Sequence, residues 1–64
     1  MMYKVVSIER LENSVFKNEY EYAELKDAKV KYNEEKDNAN IVDIRLWYCV
    51  EMERFCRSKD KSDR

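Results

Sequence analysis

Sixty-four residues, 44% hydrophobic and 42% charged, make one small globular domain, too apolar for disorder throughout and too short for a deep catalytic pocket. Thirteen Lys plus Arg against 14 Asp plus Glu leave a net charge of −1, without the basic excess usual in a small nucleic-acid-binding domain. Glycine, proline and histidine are absent. That excludes glycine-rich phosphate cradles and nucleophile elbows, and it removes the usual general base near neutral pH.

Tyr3 to Leu11 (YKVVSIERL) is rich in β-branched residues and is predicted as a first strand. Val6 and Ile8 lie on one face, with Tyr3, Val5 and Leu11 on the other. Glu12-Asn13-Ser14 is a polar break of hairpin length. Val15 to Tyr22 (VFKNEYEY) follows as a second strand, with Phe16, Tyr20 and Tyr22 on one face and Val15, Lys17, Glu19 and Glu21 on the other. Asn18 and Glu21 could instead form a capping box and start a helix at Glu19. The Tyr-Glu-Tyr alternation favours the strand. From Ala23 to Asp37 the period changes, and Tyr22, Leu25, Ala28 and Tyr32 form one stripe of an amphipathic helix, with Val30 off it. Asp27 and Lys31 make a favourable i,i+4 pair. With no glycine, turns fall to Asn, Asp, Ser and Glu, and Asn best tolerates the left-handed region. Asn13-Ser14, Asn33 and Asp37-Asn38-Ala39-Asn40 are the expected corners, the last ending the helix with Asn in the place of glycine.

From Val42 to Met52 the alternation is strict: Val42, Ile44, Leu46, Tyr48, Val50 and Met52 are all apolar or aromatic. This pattern predicts one long strand with a committed core face. Ile41, Asp43, Arg45, Trp47, Cys49 and Glu51 make up its mixed face. Glu51-Met52-Glu53-Arg54 is a candidate four-residue turn into a short last strand, which would set Phe55 opposite Val50 and Cys56 opposite Cys49. The expected fold is α+β: a two-layer sandwich of one amphipathic helix on an antiparallel sheet of three to four strands, ββαβ or ββαββ. Residues 1–57 form the domain, and residues 58–64 (SKDKSDR) a charged flexible C-terminal tail.

One helix covers one sheet face, so the mixed face is the candidate contact surface, with the acidic face of the helix as the alternative. Ile41, Asp43, Arg45 and Trp47 are its candidate interface residues, because Trp and Arg are the types most enriched at interface hot spots. The bland alternative is that Arg45 stacks on Trp47 over the chain's own sheet. Cys49 and Cys56 are a candidate thiol pair, or two reduced thiols acting as small hydrophobes. Two thiols without histidine do not complete a zinc site, so no metal and no cofactor is expected.

Of the five tyrosines, Tyr20, Tyr22 and Tyr32 sit among Glu19, Glu21, Glu24, Glu34 and Glu35, which suits core and rim packing better than base stacking. Charge is uneven: Glu19 to Asp37 carries seven acids and four lysines, and Arg54 to Arg64 five basic and two acidic residues. Arg54, Arg57, Lys59 and Lys61 are therefore candidate tail contacts to nucleic acid or an acidic partner. Catalysis has no matching constellation, and a non-enzyme is expected.

No apolar run reaches the roughly 18 residues of a membrane span, and no leader pattern opens the chain, so the expected location is the reducing cytoplasm. In composition the chain resembles the small, glycine-poor, Lys/Glu/Asn/Tyr-rich proteins of phages and mobile elements in low-GC bacteria. That resemblance implies a protein that binds and blocks a host protein, including defence enzymes. The expected function is a non-enzymatic protein-binding module, itself a homodimer or higher homo-oligomer, that inhibits or modulates a protein partner. The alternative is a nucleic-acid-associated regulator acting through the basic tail.

Overall fold

The computed structural model describes residues 2–57. The expected tail at 58–64, with Lys59 and Lys61, lies outside the described residues. One helix packs on a four-stranded antiparallel sheet in the order ββαββ. The strands are β1 (Tyr3–Leu11), β2 (Ser14–Tyr22), β3 (Ile41–Tyr48) and β4 (Val50–Cys56), and the helix is α1 (Leu25–Lys36). Across the sheet they run β2-β1-β3-β4. Both β2 and β3 pair antiparallel with β1, so they are parallel to each other and α1 crosses over β1 to join them.

The helix forms where the period changes from two to 3.6, and it lays Leu25, Ala28 and Tyr32 on the sheet. Beneath them Val5, Ile41, Ile44 and Leu46 are fully buried, with Tyr3, Tyr20, Tyr22 and Phe55 packed around. Val30, off the stripe, is exposed. Asp27 in the first turn and Lys36 in the last complement the helix dipole. The one buried polar side chain of the described core, Ser7, donates its hydroxyl to Glu35 Oε1 at 3.1 Å. Glu35 in turn holds Lys31 at 3.4 Å, whose ammonium lies 4.2 Å from the centre of the Tyr20 ring. Burial pulls the Lys31 pKa down, but the hydrogen bond and charge of Glu35 leave it raised overall.

Three expectations need correction. The stretch from Val42 to Met52 is not one strand: β3 ends at Tyr48, Cys49 alone separates the paired Tyr48 and Val50, and β4 returns antiparallel. Glu51 to Arg54 is therefore strand and not a turn, Phe55 pairs with Ile44, and Cys56 pairs with Asp43. Val50 and Met52, assigned above to the core face, are exposed on the edge strand. Next, two bulges shift the parity of the alternation. Pairing slips from Ile8–Asp43 to Glu9–Ile41, leaving Val42 as an extra residue on β3, and from Leu46–Glu53 to Trp47–Glu51, leaving Met52 extra on β4. The first slip turns Ile41 into the core, where it has no exposed surface, instead of onto the mixed face.

Finally, the left-handed positions belong to Glu12 (φ 55°) and Cys49 (φ 63°) and to no asparagine. Asn33 lies within α1. The helix ends at Asp37 in an ordinary right-handed conformation, and the Asn38 side chain accepts the Asn40 N–H at 2.8 Å to shape the exit. The open carbonyls there are met from the far end of the chain. Arg57 donates from Nε to the Ile41 carbonyl at 3.0 Å and from Nη2 to the Lys36 carbonyl at 3.1 Å.

Two stability measurements check this description. Leu46→Ala, at a fully buried site, is expected to lose about 2–5 kcal/mol in urea denaturation. Met52→Ala is expected to stay within about 0.5 kcal/mol of wild type. Equal losses would restore the single long strand. Glu12→Gly is expected to stabilise the protein by about 1 kcal/mol, because glycine carries no Cβ penalty at positive φ. A melting temperature unchanged or lowered in that variant would contradict the left-handed turn.

Candidate functional site

The helix covers the side of the sheet that carries Val5, Ile44 and Leu46, and the opposite side is left open. Alternation places Lys4, Val6 and Ile8 of β1 on that open face. Register then sets Glu21, Glu19 and Lys17 of β2 beside them on one flank, and Trp47, Arg45 and Asp43 of β3 on the other. The edge strand β4 adds Glu51, Arg54 and Cys56. The middle of this surface is a trough of 570 Å³, floored by Val6 and Ile8 and closed at one end by Trp47.

Charges line both walls and neutralise one another. On the β2 side Glu19 lies 3.2 Å from both Lys4 and Lys17. On the β3 side Asp43 accepts from Arg54 Nη2 at 2.8 Å, and the Arg45 guanidinium lies 3.7 Å from Asp43 and 3.7 Å from Glu51. Hydrogen bonds from Lys17 and then Lys4, with their positive charges, hold the Glu19 carboxyl below its ordinary value of 4.5. The Arg54 guanidinium is likewise held in its charged form by the hydrogen bond and charge of Asp43. Each basic side chain named here is within ion-pair distance of a carboxylate. Glu19, with its pKa lowered, is therefore an anionic acceptor near neutral pH and not a proton donor.

Of the interface candidates read from the sequence, the structure brings Asp43, Arg45 and Trp47 together in this trough and removes Ile41 to the core. Arg45 is directed at carboxylates on both sides, where stacking on Trp47 was the bland expectation. Cys49 and Cys56 do not meet. They are both free and exposed and lie the length of β4 apart, roughly 20 Å of extended chain, well beyond disulfide reach. Of the candidate tail contacts, Arg54 sits on the open face paired with Asp43, and Arg57 is engaged with the carbonyls at the helix exit and 5.4 Å from the Phe55 ring. Lys4, Val6, Ile8, Lys17 and Glu19 also line the trough and were not singled out from the sequence. The alternation of β1 and β2 already grouped them by face. What was missing was the strand order that sets β1 between β2 and β3.

No group of three or more His, Cys, Asp or Glu side chains among the described residues is arranged to hold a metal ion. No described helix is long and apolar enough to cross a membrane. Comparison of the chain with protein-family models, with curated proteins and with solved structures finds no match in any of the three.

The Glu19 cluster has a measurable signature. Because the folded-state pKa lies below 4.5, the carboxylate's contribution to stability is present in full above that value and is lost as pH falls through the lowered one. In an NMR titration the Glu19 side-chain carbon is expected to titrate below 4.5 in the wild type and to move upward in Lys17→Ala. Coincident curves for the two proteins would remove the ion pairs from the trough wall.

Proposed function

We propose that this chain is a small, cytoplasmic, non-enzymatic protein-binding module that inhibits or modulates a host protein through its open sheet face. One observation carries the reading. A half-buried apolar strip of Val6, Ile8 and Trp47 lies between two walls whose charges are already paired. Specific protein interfaces have this anatomy, an apolar centre within a polar rim. Trp47 and Arg45 supply the residue types that most often dominate binding energy. Phosphate recognition calls for cations free to release counterions, and Lys4, Lys17, Arg45 and Arg54 on this face are engaged by neighbouring carboxylates. Arg54 and Arg57 are also engaged within the chain, which weakens the case for a nucleic-acid regulator. The phage-like composition supports a host protein as the target.

Immobilised protein incubated with host lysate tests this reading. Wild type is expected to retain a protein target, and Trp47→Ala and Val6→Asp are expected to weaken its capture by about 30-fold, the loss typical of a hot spot. Val30→Asp, on the exposed helix surface, is expected to leave capture unchanged. Loss of capture in Val30→Asp, with retention in both face variants, would move the binding surface to the helix and overturn the proposal.

A further inference from the structure

The open face is complementary to itself in one particular register, and from this we propose that, when no target is bound, its occupant is a second copy of this chain, docked face to face about a twofold axis and displaced by the target. The inference rests on the reading of this face as a protein-binding surface. Across the strands, Glu19, Val6 and Arg45 form one row, and Lys17, Ile8 and Asp43 form the next. Consider a twofold axis lying parallel to the sheet, perpendicular to the strands and midway between these rows. It places β2 over β2, β1 over β1 and β3 over β3, with the strand direction reversed and the two rows exchanged. Glu19 of one copy then faces Lys17 of the other, Val6 faces Ile8, and Arg45 faces Asp43. Each contact occurs twice, as an isologous interface requires. Acid meets base on both flanks and aliphatic meets aliphatic at the centre. At the rim, Arg10 of the second copy arrives over Lys4 with Glu21 beside both.

The dimensions suit such a pairing. Four strands at about 4.8 Å and eight or nine residues at about 3.3 Å span roughly 19 by 28 Å, and sheets pack at about 10 Å with their strands nearly aligned. The helices remain on the outside, giving four layers in the order α-β-β-α. The apolar strip supplies burial that a chain this short lacks alone, since it hides only about 60% of the surface its unfolded form exposes. Lys4, Lys17, Arg45 and Arg54 enter the contact already paired with carboxylates, and Arg10, which carries no ion pair, stays at the exposed rim. An interface of this size is at the small end of the specific range, where weak and transient associations fall.

Charge reversal on the exposed wall tests the register, using sedimentation velocity of the full chain. Wild type is expected to form a dimer at high micromolar concentration. Glu19→Lys places lysine over lysine, and Lys17→Glu places glutamate over glutamate. Each variant is expected to sediment as a monomer over the same range, with wild-type circular dichroism. An equimolar mixture is expected to restore the dimer, because every reversed residue then meets its opposite in the other chain. A wild type that remains monomeric, or a mixture no more associated than its components, overturns the homodimer. Capture by the Val6→Asp variant separates the two levels. If wild type is monomeric but Val6→Asp loses its captured target, only the second-copy proposal fails. If Val6→Asp changes neither measurement, the open face as a binding surface fails with it.

Discussion

A single helix of twelve residues is laid against four strands, and this contact organises the rest of the molecule. Ala28 lets the helix approach the sheet closely, and Tyr32 fills the space above Ile41 and Ile44 without exposing its ring. Burial raises the Tyr32 pKa, with Glu53 and Glu51 adding to the effect, so its hydroxyl stays neutral across the physiological range. Because one helix covers one face, the sheet must divide its side chains strictly. Tyr3, Val5 and Ser7 of β1 serve the core, and the alternate positions Lys4, Val6 and Ile8 face the other side. The open face is thus what one helix leaves uncovered among the described residues.

The absence of glycine is resolved by strain and by bulges. Glu12 and Cys49 occupy left-handed conformations that disfavour any residue with a Cβ, and each sits at the tip of a tight hairpin. Cys49 is followed by an edge strand whose bulge at Met52 interrupts its regular row of backbone groups. Edges shaped in this way, and studded with charges such as Glu51, Glu53 and Arg54, resist strand-to-strand addition. The β4 edge is therefore a poor template for a further strand. Arg57 acts at the other end of β4, fastening the last strand to the helix exit through carbonyls that no glycine cap satisfies.

The electrostatics of the face follow from the same register. Had the strands paired one residue out of step, Lys4, Lys17 and Glu19 would not share a wall, and Asp43 would not bridge Arg45 and Arg54. A surface with this much charge and no net excess of either sign gives little long-range attraction to a polyanion.

The elements were legible in the sequence wherever a period could be read. The β-branched run of β1, the tyrosine alternation of β2 and the change to helical spacing at Leu25 each follow from local geometry, and they led to one helix on an antiparallel sheet. The same alternation grouped Asp43, Arg45 and Trp47 on one face. The β3–β4 hairpin was hidden for a physical reason. Tyr48 and Val50 face the same side whether they are two apart in one strand or paired across a single-residue turn, so the alternation runs through the corner unchanged. No glycine or asparagine marked the turn. Bulges are equally silent: only pairing with β1 reveals that Val42 is an extra residue and that Ile41 points into the core. The trough itself was decided by tertiary structure, because Val6, Glu19 and Arg45 are neighbours only through strand order, and strand order depends on long-range packing that local propensity does not encode.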